Sequence, residues 1–500
     1  MKYSNLKTGS VNGYNVEDII VEIDINSKST FQTFKIVGLP SASVLESEKR
    51  VISALRNSGF TVPNGSIVAN LSPSSLKKEG THFDLPLACA VLEASGQIKK
   101  FKENVYLFGE LGLNGEVRAV SGIALFLMAI KEKNKEAVFI IPRENQEESS
   151  FIDFESVFVI DRVSDLEKIG NGEISSFSPV FSYYGENEDI PDFSDIHGQY
   201  IMKRAAEIAV SGFHNLLLRG SPGSGKTMVA RRLPGIMPDM EKEEIIESTK
   251  IYSVAGYINK VINRRPFRSP HHSASSASII GGGSNPKPGE ISLAHNGILF
   301  MDEFPEYKSD VIESLRQPME DGFITVTRSK SVAVFPAKFM LVAAQNPCPC
   351  GYYGDKEKEC TCSLNSVLSY NRKISGPIMD RIDIIIDVPR VKIDELMEKA
   401  SGETSSSIKE RVTKCKNFQI MRQGKLNGKL TNKELKEYAN MDSDAELFLK
   451  NAASVLKLSA RSVNRVIRVS RTISDSFESG KILKNHISEA LNYHGKDIIS

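Results

Sequence analysis

The chain is predicted to be an α/β protein that ends in a helical region, on three observations. Short strand-like runs alternate with helical spacing through the first 390 residues. One apolar strand, Leu216-Leu217-Leu218, runs directly into a glycine-rich loop and a helix. Residues 391–500 carry helical spacing in Asp442 to Leu456, Ser462 to Phe477 and Asn485 to Tyr493, and nothing strand-like.

Taken in order, residues 1–174 read as a compact α/β unit. Val21 to Ile25 alternates as a half-buried strand does, Ala42 to Asn57 has helical spacing, and Ser66 to Leu71, Ala137 to Ile141 and Val157 to Ile160 are further strands. Residues 175–195, rich in Gly, Pro, Ser and acids, are the linker. Residues 196–390 then follow the βα alternation of a mostly parallel, layered sheet. Residues 391–500 form a helical lid, with a softer connection expected around Gly402 to Gly428.

Size and composition agree with this division. Five hundred residues correspond to about 3 domains. With 40% hydrophobic and 25% charged residues and no apolar run of about 20, the composition is that of an ordinary soluble chain without a membrane span. No basic-then-apolar leader opens the sequence, so a cytoplasmic location is expected. The net charge of +1 means that any polyanion must be gripped by a local patch. Two such patches stand out. Lys260, Arg264, Arg265, Arg268 and Lys287 occupy an acid-free stretch that also holds Gly281-Gly282-Gly283, and residues 409–429 carry seven Lys or Arg against the single Glu410.

The chemistry centres on Gly220-Ser221-Pro222-Gly223-Ser224-Gly225-Lys226-Thr227. Glycines at this spacing let backbone N–H groups turn toward an anion at a helix start. Lys226 then reaches the β and γ phosphates, and the Thr227 hydroxyl ligates Mg²⁺. Gly297 to Met301 is a second apolar strand, ending in Asp302-Glu303. Asp302 suits the metal's hydration shell and Glu303 the polarisation of an attacking water. A third apolar run, Phe339 to Ala344, leads through Gln345 to Asn346, whose amide can address both the γ phosphate and the lytic water. ATP and Mg²⁺ are the expected cofactors, and hydrolysis the expected reaction.

Cys348-Pro349-Cys350 and Cys360-Thr361-Cys362 form two C-x-C pairs separated by nine residues. Four thiolates suffice for a tetrahedral structural Zn²⁺ site, with reduced, metal-free thiols as the alternative.

The ordered strings Arg265-Pro266-Phe267-Arg268-Ser269-Pro270-His271-His272, Gly289-Glu290-Ile291-Ser292-Leu293-Ala294-His295, Asn346 to Gly351 and Ser375 to Asp383 carry a resemblance over essentially the whole chain. The sequence resembles the AAA+ ATPases of the magnesium-chelatase clade and looks like a member of the ComM/YifB family. The resemblance implies an AAA+ P-loop ATPase core with a C-terminal helical lid, assembled as a hexameric ring with sites between neighbouring subunits. Arg381 would project as a finger into the neighbour's site, and Arg461 would report nucleotide state from the lid. The insertions between the phosphate-loop helix and Asp302, and a hairpin with arms 325–327 and 332–334, would point into the ring's channel. Arg264, Arg265 and Arg268, with Arg328 and Lys330 at the hairpin tip, would meet a phosphate backbone there. The implied activity is ATP-driven DNA translocation that promotes branch migration in recombination during natural transformation, on branched or single-stranded DNA and alongside other recombination proteins. A magnesium-chelatase-like motor that remodels a protein is the alternative.

Lys78-Glu79-Gly80, Asp84-Leu85-Pro86 and Gly109 to Gly122 give the amino-terminal region a similarity to the Lon protease fold. The matching positions hold Thr81-His82-Phe83 and Leu125-Phe126, so the serine-lysine dyad is absent. Scaffolding or substrate guidance is the expected role, and an ATP-dependent protease the weakest alternative.

Overall fold

The computed structural model describes residues 3–28, 31–151, 156–177, 190–257, 260–283, 286–328, 331–355, 357–390 and 402–495. Most of the 175–195 segment, the hairpin tip Ser329-Lys330 and residues 391–401 lie outside them.

The amino-terminal sheet has the order β3-β4-β2-β1-β5-β6-β7, with β1 at Tyr3–Asn12, β2 at Asn15–Asn26, β3 at Thr33–Val37, β4 at Ser66–Ser72, β5 at Val105–Leu107, β6 at Val138–Pro142 and β7 at Val157–Ile160. Strands β1, β2 and β4 pair antiparallel, whereas β5, β6 and β7 run parallel, as crossover helices require. Alternation does place one face of β2 in the core: Ile19, Val21, Ile23 and Ile25 are buried. Helices α1 (Ser47–Asn57), α2 (Asp84–Ser95) and α3 (Ile123–Lys133) cover the sheet. Helix α2 has nearly every residue buried, which is why its composition shows no polar face.

A second sheet has the order β9-β10-β13-β8-β14, with β8 at Leu216–Arg219, β9 at Phe267–Arg268, β10 at Ile298–Met301, β13 at Met340–Gln345 and β14 at Ile384–Asp387; every pairing in it is parallel. Apolar runs without alternation are what a parallel sheet buried on both faces demands, and β8, β10 and β13 are buried throughout. Between β10 and β13, the arms β11 (Phe323–Arg328) and β12 (Ser331–Pro336) form an antiparallel hairpin, which includes the two arms read from the sequence.

The carboxyl-terminal region is helical, with α8 at Ser405–Gln423, α9 at Ser443–Val455, α10 at Ala460–Ser476 and α11 at Lys484–Leu491. The soft connection expected around 402–428 is instead a 19-residue helix. Its buried stripe, Ile408, Val412, Cys415 and Gln419, is thin and ends in a polar residue, so the periodic signal is weak in sequence. Thr404 caps its start and Gly424, at φ 71°, ends it. Ile408 and Val412 join an apolar cluster with Leu233 of the phosphate-loop helix and Val469 and Ile487 of the final helices. The helical region and the second sheet therefore share a core.

Candidate active site

The order of the second sheet builds the site. Strand β13 lies between β8 and β10, pairing Arg219 with Gln345 on one side and Met301 with Ala343 on the other. Because the three strands are parallel, their carboxyl ends open on one edge, where ligands of such sheets bind. The residues that follow are the phosphate loop after Arg219, Asp302 after Met301 and Asn346 after Gln345.

Gly220 to Gly225 connect β8 to helix α5 (Lys226–Ile236). A Cβ on Gly220 would lie 2.4 Å from the Val388 carbonyl oxygen, so only glycine fits that turn beside the end of β14. Gly223 and Gly225 take φ of 78° and 91°, the left-handed conformation that aims successive N–H groups inward. Lys226 is 8% exposed, and its Nζ donates to the Gly220 carbonyl at 2.6 Å, the Ser221 carbonyl at 3.0 Å, and Asn346 Oδ1 at 3.4 Å. Burial pulls its pKa down to about 8, against a smaller opposing pull from Asp302. The ammonium is thus folded back on its own loop, in a position that an anionic ligand would reclaim.

Thr227 Oγ1 donates to Asp302 Oδ2 at 2.8 Å, which brings the two expected Mg²⁺ ligands together. An oxygen pair of this kind suits a hard, water-rich cation. Glu303 has φ 50°, a conformation that strains a non-glycine residue and turns its carboxylate off the strand line. His272 Nδ1 lies 3.4 Å from Glu303 Oε2. The sequence places His272 in a string shared with the family and gives it no role; its contact with Glu303 depends on the loop after β9 folding over β10. Gly198-Gln199 matches the family in sequence, but the match gives Gln199 no role; its amide donates to the Ser224 carbonyl at 3.2 Å and the Pro389 carbonyl at 2.8 Å, tying the loop to the chain beyond β14.

The four paired cysteines also converge. Cys348, Cys350, Cys360 and Cys362 have sulfurs within 4.8 Å of one another, and the contacts Cys348–Cys350, Cys348–Cys360 and Cys350–Cys360 measure 3.3, 3.7 and 3.5 Å. Four sulfurs about 2.3 Å from a tetrahedral centre stand about 3.8 Å apart, so this donor set fits Zn²⁺.

Two expected site residues stand apart from Lys226. Arg381 is held by Glu320 and by the Pro377 carbonyl, and Arg461 by Asp380 at 2.9 Å, on a more exposed side chain.

The basic patches are largely paired with acids of the same chain. Arg265 is paired with Glu244 at 2.9 Å and donates to the Pro238 and Asn296 carbonyls, its side chain 8% exposed. Arg268 makes a two-pronged pair with Glu290, at 2.6 and 2.7 Å. Both are internal ties, because acids distant in sequence fold back onto the acid-free stretch. In the second patch, Lys409, Arg411, Lys416, Arg422 and Lys425 pair with Asp239, Glu207, Glu241, Asp475 and Glu434. Arg264 is exposed. Arg328 ends β11, and its side chain and all of Lys330 lie outside the described residues.

His82, at the position that the sequence similarity to the Lon fold would give a protease nucleophile, is buried. Its Nε2 meets the Gly9 carbonyl at 2.9 Å, and its ring packs 4.2 Å from Phe83 and 5.1 Å from Phe126. Burial lowers its pKa to about 4, so it is neutral filler. Lys78 donates to the Pro73 carbonyl and Lys77 pairs with Glu79.

A parallel sheet with a phosphate loop, an acidic strand end and a polar amide on the strand between them defines a P-loop ATPase core of the AAA+ type. Family models agree: residues 192–396 match "Magnesium chelatase, subunit ChlI", residues 21–145 "Subunit ChlI of Mg-chelatase" and residues 402–494 "Magnesium chelatase, subunit ChlI C-terminal". The chain is 39% identical over 502 residues to the Uncharacterized protein YifB of Escherichia coli (strain K12), covering 99% of this chain and 98% of that protein. It is 39% identical over 493 residues to the Competence protein ComM of Haemophilus influenzae, covering 96% and 95%. A more distant relative, the DNA replication licensing factor mcm-6 of Caenorhabditis briggsae, is 23% identical over 358 residues, 68% of this chain and 40% of that protein. The chain belongs to the ComM/YifB family of magnesium-chelatase-like proteins. Membership in this AAA+ group implies an ATPase that uses ATP and Mg²⁺. Among the described residues no helix is long and apolar enough to cross a membrane.

Proposed function

We propose that the chain is a Mg²⁺-dependent ATPase whose turnover moves DNA, promoting branch migration in recombination or natural transformation. The observation that carries the reading is the convergence of Lys226, Asn346, Thr227 and Asp302 at one sheet edge. Lys226 and the phosphate-loop N–H groups bind the triphosphate, Thr227 and Asp302 hold Mg²⁺, which supplies charge neutralisation at the phosphates, and Asn346 orients the γ phosphate. Glu303 accepts the proton of the attacking water once His272 lets it turn inward. Arg381 and Arg461 act on a neighbour's nucleotide in a hexameric ring, exchanging Glu320 and Asp380 for phosphate oxygens. The division into an amino-terminal Lon-like scaffold up to 174, a linker, an ATPase core and a lid from 391 belongs to the same reading, as do a cytoplasmic setting and a structural Zn²⁺ on the four cysteines.

DNA is favoured as the substrate by the name of the competence relative and by the licensing-factor relative, itself named for DNA replication. The DNA path runs through Arg264, which is exposed, and the hairpin tip with Arg328 and Lys330. A chelatase-like role in remodelling a protein is the second reading, favoured by the description of the matching family models. The packed His82 site speaks against proteolysis.

ATP-dependent strand exchange on forked and four-way DNA distinguishes these readings. Displacement by the wild-type chain, lost in Glu303→Gln, is expected; robust ATP turnover that branched DNA neither stimulates nor converts into displacement would favour the protein-remodelling reading.

A further inference from the structure

The cysteine cluster does more than fold its own loop, because the residues between its two pairs lie on the phosphate loop. Gly351 takes φ 86°, and a Cβ there would sit 2.7 Å from Pro222 Cδ. The glycine allows the cysteine loop to press against the second turn of the phosphate cradle. Four residues on, the Asp355 carboxylate is 3% exposed and lies beside Ser221, itself buried in that cradle, whose side chain helps to hold the carboxyl below the usual carboxylate range. Asp355 is fixed from behind: it accepts the backbone N–H groups of Glu357 and Lys358 at 2.9 and 3.1 Å and pairs with Arg390 at 3.1 Å. Arg390 in turn lies over the Tyr352 ring at 5.3 Å. At its other end the loop leaves Asn346 with only Pro347 before Cys348, and Asn371 of helix α7 (Leu364–Asn371) holds the Pro347 carbonyl at 3.0 Å.

Little apolar burial supports this loop. Cys348 is buried, whereas Cys350, Cys360 and Cys362 are half-exposed. A segment from Cys348 to Cys362 without a core of its own must take its shape from its sulfurs, and four thiolates on one soft cation supply that shape where four thiols do not. The contact surfaces of the loop face Pro222 and Ser221, so whatever holds the sulfurs together also holds the cradle.

We propose that the four cysteines form a zinc-dependent clamp on the phosphate loop, so that zinc occupancy sets the affinity of the ATPase site for nucleotide. The coupling runs from the metal through the Gly351–Pro222 contact, with Asp355 beside Ser221, and reaches Asn346 along the backbone. Asp355 is a positioning residue in this scheme, acting on the cradle without meeting phosphate. The inference rests on the reading of residues 220–227 as a nucleotide cradle.

The test uses the full chain, with zinc content measured by elemental analysis and binding of a fluorescent ADP measured with and without chelator treatment. One zinc per chain is expected, with affinity falling on the order of ten-fold when it is removed and returning on addition of Zn²⁺ but not of further Mg²⁺. Asp355→Ala, zinc still bound, should show a similar loss; this variant keeps the test sharp if zinc removal loosens the fold. Failure to take up zinc, unchanged affinity in the zinc-free chain, or unchanged affinity in Asp355→Ala would each overturn the clamp. A zinc-loaded wild-type chain that binds no nucleotide would instead refute the cradle, and the clamp with it.

Discussion

At the scale of single residues, the proposed chemistry falls on Lys226 and Glu303. Burial holds the Lys226 ammonium at a pKa of about 8, whereas the unfolded chain keeps the ordinary lysine value. A lowered lysine destabilises the fold fully below the folded pKa, and that cost fades as pH rises from about 8 toward the unfolded value. A bound triphosphate restores the charged form, so nucleotide binding should take up a proton above pH about 8, and affinity should fall as pH rises through that range. Calorimetric titrations in two buffers of different ionisation enthalpy measure that uptake, and identical heats there would contradict the placement of Lys226. Glu303, strained at φ 50° and held beside His272, is poised but not engaged. Releasing it by His272→Ala should raise basal turnover and blunt any further stimulation by DNA; steady-state phosphate release would show a loss of turnover if His272 serves to orient Glu303 instead.

At the scale of elements, the glycine-rich connection between β8 and α5 is where shape matters most. Gly220→Ala would push a methyl group into the Val388 carbonyl, costing about 2 kcal/mol of loop geometry. The expected result is roughly thirty-fold weaker fluorescent-ADP binding with an almost unchanged thermal midpoint. Arg268 makes the opposite case. Its pairing with Glu290 predicts that Arg268→Ala lowers stability by roughly 2 kcal/mol in urea unfolding while leaving the salt dependence of DNA binding unchanged; a shallower salt slope would return Arg268 to the DNA path. The strands were legible because parallel sheet strands read as uninterrupted apolar runs, and the phosphate loop because its glycines and lysine have fixed spacing. The acids that neutralise the basic patches were not legible: Glu244 lies 21 residues before Arg265 and Glu290 lies 22 after Arg268, and only the fold joins them. Helix α8 was hard to read because its buried stripe is thin and ends in the polar Gln419, while four of its basic residues, Lys409, Arg411, Lys416 and Arg422, pair with acids on other elements.

At the scale of the whole molecule, the amino-terminal sheet and the ATPase core meet along named contacts. Ser253 of the helix Lys242–Ala255 donates its hydroxyl to Glu148, and its carbonyl accepts the Gly122 N–H at 3.1 Å. Gly13, in the turn between β1 and β2, lies so close to the β11–β12 hairpin that an added Cβ would be 2.7 Å from Ala333 Cβ. Movement of that hairpin would therefore be felt by the amino-terminal sheet, a link that no motif announces. The proposed ring makes a sharper demand. If Arg381 serves a neighbour's nucleotide, Arg381→Ala and Lys226→Ala chains, each inactive alone, should regain part of the ATPase rate when mixed, because some interfaces then pair an intact cradle with an intact finger. Absence of any recovery would place Arg381 outside the catalytic interface.

Catalysis as proposed requires Lys226, Thr227, Asp302, Glu303 and Asn346 to act on one Mg²⁺-bound triphosphate. Steady-state phosphate release at saturating MgATP, measured for the wild-type chain and for Glu303→Gln alongside fluorescent-ATP binding, tests this most directly. The expected result is turnover by the wild type and a rate roughly 100-fold lower in Glu303→Gln with nucleotide still bound; equal rates in the two chains would contradict the assignment of the site.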